Sequence, residues 1–262
     1  MTDETHVRDL YDAEARRNAV TDRPGARVER TDTVVRHVCP APGWNGILWS
    51  DLREDTADAE IAAQVEYFAQ SGAREFEWKL YAHDRPADLG ARLSAAGLVP
   101  EPLETLMAAP AAAIAAEPAP PEGVRLVEVT DEAGVDLMME ARRLAFGSGS
   151  PMVRHHLLSR LTEAPDTMVA VVAMAGDRPV SAARMEIRPG GSFAGLWGGG
   201  TAPEWRGKGI YRALVAHRAN EAVRRGVPYL QVDASSESRP ILERLGFSVL
   251  GETTPYIWTS PS

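Results

Sequence analysis

The chain has 262 residues, 44% of them hydrophobic and 25% charged, so it holds enough apolar material for one large or two small cores and is neither disordered nor collagen-like. Its net charge of −9 argues against general nucleic-acid binding, because neutralising phosphates requires a basic face. A single cysteine, Cys39, excludes an intramolecular disulfide, and no apolar stretch reaches the roughly 20 residues of a membrane helix. The acidic start Met-Thr-Asp-Glu-Thr is unlike a basic signal peptide, so we expect a cytoplasmic protein with no membrane partner.

The N-terminal part of the chain, residues 1–106, alternates between strand and helix patterns. Short apolar runs indicate the strands, and longer segments with helical periodicity indicate the helices, the last of which Gly97 ends. In chain order the predicted elements are strands at 34–38 and 46–49, a helix at 57–70, a strand at 75–82 and a helix at 86–96. This alternation predicts a small α/β domain.

The segment 107–123, MAAPAAAIAAEPAPPEG, is the strongest boundary signal in the sequence. Its alanines and prolines carry no strand period, and the prolines block helix propagation and favour extended backbone. A long surface loop within one domain is the alternative, but a structureless loop of this length is uncommon in a compact fold. The sequence therefore predicts a linker between two domains.

The C-terminal part, residues 124–262, has a more regular alternation. Ser150 followed by Pro151 is a favourable start for a helix, and glycine turns separate three consecutive strands as in hairpins. The predicted elements are a strand at 124–129, helices at 130–146 and from 151, strands at 168–175, 180–187 and 192–200, a helix at 209–225, a strand at 229–233, a helix at 239–245 and a hairpin at 247–258. The order βααβββαβαβ predicts an α/β domain with a mixed sheet.

The two parts share a short similarity. Residues 93–98, LSAAGL, resemble residues 242–247, LERLGF, and each segment follows a predicted strand and lies in a short helix. We interpret this as a degenerate internal repeat at domain spacing. Two unrelated helix ends that both stop at a glycine are the alternative.

One segment has the residue types of a phosphate site. From 196 to 214 the chain runs from a strand through a basic turn that contains Gly207 and Gly209 directly into a helix. Such a turn directs unpaired N–H groups and the positive end of the helix at one point, which suits a phosphate or pyrophosphate. Arg206, Lys208 and Arg212 supply positive charge, and glycine lets the main chain approach an anion closely.

Two common phosphate motifs do not fit this turn. A Walker loop that contains Gly207 and Lys208 would need glycine in place of Ala202 and serine or threonine in place of Gly209. A dinucleotide-binding motif read from Gly207 would need glycine in place of Arg212. The turn therefore predicts a phosphate site of another type.

The segment Thr201-Ala-Pro-Glu-Trp-Arg-Gly-Lys-Gly-Ile-Tyr211 closely resembles the acyl-CoA signature [QR]-x-x-G-x-[GA] of the GNAT superfamily of N-acetyltransferases. The resemblance extends from Val124 to Trp258 and includes the downstream pattern of Leu242 to Phe247. It implies a GNAT fold with acetyl-CoA as the acyl donor. With the internal repeat, it implies a degenerate N-terminal and a complete C-terminal GNAT domain in tandem.

The resemblance also implies a cofactor-binding set. In the family, backbone N–H groups of the turn hold the CoA pyrophosphate, and the strand before it pairs with the pantetheine. The residues that match are Gly199, Gly200 and Thr201 on the strand, Arg206, Gly207, Lys208, Gly209, Ile210, Tyr211 and Arg212 in the turn, and Ser235 before the short helix. Three consecutive glycines weaken a strand, so close approach of a ligand is a physical cause for them, and a bulge that serves packing alone is the alternative.

The sequence departs from the family at the general acid. The family often has an asparagine at the start of the short helix and a tyrosine near its end, and the matching residues here are Ser235 and Leu242. The tyrosine that would protonate the departing thiolate is therefore missing. Tyr256 on the closing hairpin, or water, is the predicted substitute.

A base is also needed, because an alkyl ammonium of pKa about 10.4 must lose its proton before it can attack. The strand 192–200, where the family often has a catalytic glutamate, contains no carboxylate. Glu186 and Asp233 are the predicted substitutes. For both, a salt bridge is the alternative, with Arg184 or Arg188 as the partner of Glu186.

The sequence predicts no metal site. Cys39 and His37 are too few ligands for a tetrahedral centre. His155 and His156 are adjacent on a predicted helix, where their side chains diverge by about 100°, so we expect them to be solvated.

These observations predict an N-acetyltransferase that transfers an acetyl group from acetyl-CoA to a primary amine of a small molecule or peptide, by direct attack in a ternary complex. A catalytically reduced acyl-CoA-binding module is the main alternative, since the usual acid and base are absent. A third hypothesis is an acetyltransferase that its N-terminal domain targets to a protein partner. The sequence predicts no oligomeric state.

Overall fold

A computed structural model describes residues 4–21 and 25–260 of the chain. The chain forms two compact units. Unit 1 comprises the residues up to Met107 together with Asp233–Pro240 and the C-terminal segment from Val249, and unit 2 comprises Ala108–Val232 and Ile241–Ser248.

Strands and helices alternate along most of the chain. The strands are β1 (Arg27–Arg30), β2 (Val34–Val38), β3 (Gly46–Ser50), β4 (Glu75–Tyr81), β5 (Val99–Pro100), β6 (Glu104–Pro110), β7 (Val124–Glu128), β8 (Met168–Ala175), β9 (Arg178–Ile187), β10 (Phe193–Thr201), β11 (Tyr229–Ala234) and β12 (Ser248–Thr259). The helices are α1 (Glu4–Tyr11), α2 (Ala57–Gln70), α3 (Leu89–Ala95), α4 (Ala111–Ile114), α5 (Glu132–Phe146), α6 (Pro151–Glu163), α7 (Ile210–Arg224) and α8 (Arg239–Leu245). A π-helical turn, Asp12–Arg17, extends α1. Within the described parts of the chain, no helix has the length and apolar character needed to cross a membrane.

Unit 2 is built on a mixed sheet. Strands β7, β8, β9 and β10 are antiparallel neighbours in that order, and β11 adds to β10 in parallel. The predicted order of elements and the mixed α/β sheet are confirmed. Strand β8 is buried at all but its last position, as its uninterrupted apolar run predicts.

Local sequence signals fix the two helices that precede β8. Asp131 caps α5, with its Oδ1 accepting a hydrogen bond of 2.8 Å from the Gly134 N–H, and Gly147 ends the helix in the left-handed region at φ 78°. Ser150 caps α6 by accepting a hydrogen bond of 3.3 Å from the Val153 N–H, and Pro151 follows it. The start of α6 predicted at Pro151 is confirmed.

In unit 1, β1, β2 and β3 are antiparallel neighbours, β3 is parallel to β4, and β12 pairs with β4 in antiparallel fashion. The core of unit 1 contains a row of aromatic rings. The ring centres of Phe68 and Phe76 are 4.3 Å apart in a stacked pair, and those of Phe76 and Trp258 are 5.6 Å apart. Phe68, Phe76 and Trp78 are at most 1% exposed. The hydrophobic burial of these aromatic side chains stabilises the unit.

The internal repeat is visible as structure. In unit 1, α2 connects the parallel pair β3 and β4, and α3 follows. In unit 2, α7 connects the parallel pair β10 and β11, and α8 follows along the chain. The predicted pair of GNAT-like folds is confirmed by this shared strand–helix–strand–helix order.

Two local predictions are wrong. The segment 107–123 is not irregular throughout, because its first residues complete β6 and α4, where Met107 and Ala108 are buried. The segment 247–258 is not a hairpin but lies within the single strand β12 apart from Phe247, since all of Thr253–Thr259 pair with β4 without a turn at Gly251. Residues from Val249 onwards thus belong to unit 1, whereas the predicted division assigns them to the C-terminal domain.

The core of unit 2 gives a stability prediction with a matched control on one helix. Val215 on α7 is 0% exposed and Val223 on the same helix is 45% exposed. We expect Val215→Ala to lower the free energy of unfolding by about 2 kcal/mol, and Val223→Ala to change it by less than about 0.5 kcal/mol. Equal effects of the two substitutions in denaturant unfolding would contradict the packing of α7 described here.

Candidate functional site

Strands β10 and β11 separate part of the way along their length. Their parallel register joins Phe193–Gly195 to Tyr229–Gln231 and goes no further. Beyond Gly195, β10 continues for six more residues while it pairs on its other edge with β9. One edge of the second half of β10 therefore has no strand partner in this register, and its backbone groups are available to a ligand that adds in the manner of a strand.

A β-bulge lies in this separated half of β10. The register with β9 shifts between Trp197 and Gly200, and Gly198 has φ 63°, a left-handed conformation that favours glycine. A side chain at Gly200 would lie 2.5 Å from Cε2 of Phe146, and one at Gly199 would lie 3.0 Å from Cε2 of Tyr211. These close contacts support the second explanation that the sequence offered for the three glycines, namely a bulge that serves packing.

A turn with unpaired backbone N–H groups connects β10 to α7. Gly207 and Gly209 have φ 74° and 86°, and no atom of the described chain lies within 4 Å of a Cβ built on Gly207. The first helical hydrogen bond of α7 is donated by the Ala213 N–H to the Gly209 carbonyl. The N–H groups of Ile210 to Arg212 consequently have no helical acceptor and point out of the positive end of the helix.

The basic side chains of this turn have different surroundings. Arg206 donates from Nε to the Thr201 carbonyl at 3.1 Å and from one Nη to the Ala145 carbonyl at 3.3 Å, so it fastens the turn to the end of β10. Lys208 lies with Nζ 4.5 Å from the centre of the Trp205 ring. Arg212 is exposed on the first turn of α7. Lys208 and Arg212 are thus the side chains best placed to neutralise an anion.

The end of β10 is held rigidly. Ser181, fully buried on β9, donates to the Gly200 carbonyl at 2.7 Å and lies 2.9 Å from the Thr201 hydroxyl. The ring of Tyr211 packs on Gly199 of β10. Burial raises the pKa of Tyr211, so this phenol stays neutral at ordinary pH.

Glu186 lies in an ion-pair network on β9. Its Oε1 is 2.6 Å from Nε of Arg184 and 2.8 Å from Nε2 of His156, and its Oε2 is 3.5 Å from Arg160. Burial by itself raises the pKa of Glu186, but the His156 hydrogen bond and the Arg184 charge outweigh it and lower the pKa to about 2. So weak a base does not take a proton from an ammonium group, and the salt bridge that the sequence offered as the alternative is the observed state.

His156 is a candidate residue that sequence reasoning missed. Its side chain is 13% exposed and bonded to Glu186, whereas its neighbour His155 is exposed as predicted. Because the ionised Glu186 carboxylate can only accept, Nε2 of His156 carries the hydrogen and Nδ1 is left as a proton acceptor in the neutral ring. The signal was present in the sequence, since His156 and Arg160 are four residues apart and share a helix face.

Asp233 is committed to a buried ion pair in unit 1. Its Oδ2 lies 2.7 Å from Nζ of Lys79, and the two side chains are 5% and 16% exposed. Lys79 also pairs with Glu104 at 3.0 Å. Burial by itself lowers the pKa of Lys79, but the charges of Asp233 and Glu104 outweigh it and leave the pKa raised. The ion pair with Lys79 is thus the salt bridge that the sequence offered as the alternative to a role of Asp233 as the base.

Tyr256 and Ser235 also have local structural roles in unit 1. The Tyr256 hydroxyl lies 2.6 Å from a Cβ built on Gly90 of α3, so the side chain packs on that helix. Ser235 accepts a hydrogen bond of 3.3 Å from the Ser238 N–H in the turn before α8. In the structure Tyr256 is thus a packing residue of unit 1, and its role as the acid stays a prediction. Leu242, which replaces the family's tyrosine, is 0% exposed.

The predicted site residues thus divide into two groups. Unit 2 brings together the bulge Gly199–Thr201, the turn 206–212 and Glu186. Asp233, Ser235 and Tyr256 belong to unit 1. Among the residues that the structure describes, no group of three His, Cys, Asp or Glu side chains forms a metal site.

Comparisons with known proteins agree with this geometry. The sequence profile of the acetyltransferase (GNAT) family matches residues 135–247. A GCN5-related N-acetyltransferase from Kribbella flavida is similar in structure with a TM-score of 0.68 and 17% identity, over 100% of this chain and 97% of that one. A tandem GNAT protein from the clavulanic acid biosynthesis pathway has a TM-score of 0.63 and 15% identity, over 100% and 97% of the two chains. A search of curated proteins gives no match.

The Glu186 network gives a pH prediction. The folded pKa of about 2 lies below the ordinary value of 4.5, so the carboxylate stabilises the fold above about pH 4.5 and loses this contribution as the pH falls towards 2. We expect Glu186→Gln to lower the free energy of unfolding by about 3 kcal/mol near neutral pH. The difference in this free energy between the parent protein and the variant should decrease as the pH falls towards 2.

Glu204→Gln is the matched control. Glu204 pairs with Arg178 at 2.5 Å on the surface, where the two side chains are 49% and 51% exposed. We expect this substitution to leave the free energy of unfolding nearly unchanged, because solvent screens an exposed ion pair. A Glu186→Gln effect that is the same at all pH values would show that the ion pairs do not stabilise the fold.

Proposed function

We propose that the chain is a member of the acetyltransferase (GNAT) family, whose sequence profile matches residues 135–247, and that it transfers an acetyl group from acetyl-CoA to a primary amine. The acceptor is a small molecule or a peptide, and both substrates are bound together when the amine attacks. The single observation that supports this most strongly is that three features follow one another along the chain without interruption. They are the separation of β10 from β11 after Gly195, the bulge at Gly198 and the glycine turn before α7.

The residues present fit an acyl-CoA. The open space at Gly207 and the left-handed Gly209 let the main chain approach a pyrophosphate, and the N–H groups that begin α7 would donate to it. Lys208 and Arg212 would supply positive charge in a protein that is otherwise acidic. The separated edge of β10 at Gly199 would pair with the pantetheine amides.

Acetyl-CoA supplies a thioester, and the amine nitrogen forms a bond to its carbonyl carbon while the carbon–sulfur bond breaks. The amine loses one proton, and the thiolate gains one from water, since the residue that replaces the usual tyrosine is Leu242. We assign the proton acceptor to Nδ1 of His156, directly or through one water molecule. Glu186 is a positioning residue, because its hydrogen bond to Nε2 fixes the tautomer and orients the ring.

A catalytically reduced acyl-CoA-binding protein is the second candidate. Leu242 is completely buried and aliphatic at the family's acid position, and β10 carries no carboxylate. This candidate predicts CoA binding without release of free thiol from acetyl-CoA in the presence of amines. Thiol release with a panel of primary amines distinguishes the two functions.

The cofactor assignment predicts that valine substitutions at the two ends of α7 have different effects on CoA affinity. Gly209 begins α7 with φ 86°, and Gly226 follows its end with φ 72°, so valine strains the backbone at both positions. We expect Gly209→Val to lower CoA affinity in calorimetry by at least about tenfold, and Gly226→Val to leave it unchanged. Equal CoA affinity in the two variants would remove this turn as the cofactor site.

The assignment of His156 as the base predicts that substitutions of His156 and of its neighbour His155 have different effects on catalysis. We expect His156→Gln to lower kcat/KM by about a hundredfold or more, because glutamine cannot accept the proton of the amine. His155→Gln is the control on the same helix, and its exposed side chain should leave kcat/KM as in the parent protein. A His156→Gln enzyme with unchanged kcat/KM would refute the role of the imidazole.

A further inference from the structure

Positive charge is concentrated on one face of the unit 2 sheet, where α5 and α6 pack on β9 and β10. Arg184 on β9 and Arg160 on α6 share a single carboxylate, that of Glu186, at 2.6 Å and 3.5 Å. Arg142 on α5 adds a third guanidinium and makes no ion pair with any described residue. Three guanidinium groups are therefore grouped here, and only two of them pair with a carboxylate, in a protein whose net charge is −9.

Arg142 has an unsatisfied donor. Its Nε is buried and makes no hydrogen bond within the described chain, and its guanidinium lies 5.1 Å from the ring of Phe146. Burial and the nearby charge of Arg184 lower the pKa of Arg142. A buried donor without an acceptor is unfavourable, and an oxyanion that enters this space would relieve it.

The same two arginines flank the bulge where transfer is proposed to occur. Nη1 of Arg184 lies 3.0 Å from a Cβ built on Gly198, and the ring of Phe146, beside Arg142, covers Gly200. Trp197, the residue before Gly198 on β10, is 38% exposed and has the Arg184 guanidinium 6.0 Å from its ring. An acceptor whose amine reaches the bulge would have its other groups within range of both cations.

We propose that the acceptor amine carries an oxyanion group, a carboxylate or a phosphate, which Arg142 and Arg184 bind. This inference rests on the proposed acetyltransferase function. A guanidinium offers paired donors that match the two oxygens of a carboxylate or phosphate, so two such groups select for an anion. Polyamines and aminoglycosides carry several positive charges and are repelled from the same face.

Matched substrates test the selection. Amino acids and their amides differ by the carboxylate, and O-phosphoethanolamine and ethanolamine differ by the phosphate. We expect kcat/KM for the anionic member of one pair to exceed that for its neutral partner by at least about tenfold, and the pair that shows this identifies the oxyanion. Equal values within both pairs, or preferred turnover of spermidine, would overturn the proposal.

Arg142→Gln and Arg143→Gln provide the matched variants, because Arg143 is the exposed next residue of α5. We expect Arg142→Gln to reduce the preference for the anionic acceptor by about tenfold and to leave KM for acetyl-CoA unchanged. Arg143→Gln should alter neither quantity. A rise in KM for acetyl-CoA in Arg142→Gln would instead assign the arginine to the cofactor and refute the proposal.

A binding measurement separates this proposal from the proposed function. Trp197 lies beside Arg184, so its fluorescence reports on the site, with Trp197→Phe as the control for the other tryptophans. We expect N-acetylphenylalanine or N-acetyl-O-phosphoethanolamine to change the emission, and N-acetylphenylalaninamide and N-acetylethanolamine to have no effect. Anion binding without thiol release would refute the acetyltransferase and retain the anion site. Thiol release from amines without anion binding would refute the anion site alone.

Discussion

The limited pairing of β10 with β11 is the constraint on which the rest of unit 2 depends. The strands are bonded only as far as Gly195 and Gln231, and the bulge at Gly198 begins immediately beyond that point. If the strands stayed paired, the edge of β10 would have its backbone groups satisfied and could not receive a ligand. The separation also directs the end of β10 into the turn from which α7 starts, so one irregularity in the sheet sets the position of the whole cofactor site.

Charged groups have different roles on the two faces of that sheet. On one side, the turn offers backbone N–H groups with Lys208 and Arg212 to the cofactor phosphates. On the other, the carboxylate of Glu186 is shared by Arg184 and His156, which explains both its very low pKa and the fixed orientation of the imidazole. The cations of this acidic protein are thus concentrated where backbone geometry also favours an anion, as the proposed binding of anionic substrates requires.

Unit 1 repeats the strand–helix–strand–helix order without the phosphate turn. The segment before α2 contains Asp51, Glu54 and Asp55, and Arg53 pairs with Asp55 at 3.0 Å. Carboxylates at the start of a helix take the place that a pyrophosphate would occupy and would repel it. Residues from Asp233 to Pro240 and from Val249 belong to this unit, so the last part of the chain completes the fold of the first.

The sequence by itself determined the element order, the mixed sheet and the anion-binding turn, because hydrophobic periodicity, glycine conformation and helix capping act over a few residues. It did not determine the partners of Glu186, Asp233 and Tyr256, since these lie on other elements, and only the packed structure shows which charges are buried together. It likewise missed His156, whose role depends on a strand thirty residues away. The pattern that predicts a hairpin at 247–258 cannot show that this segment is a single strand paired with β4, because strand pairing is decided by long-range packing.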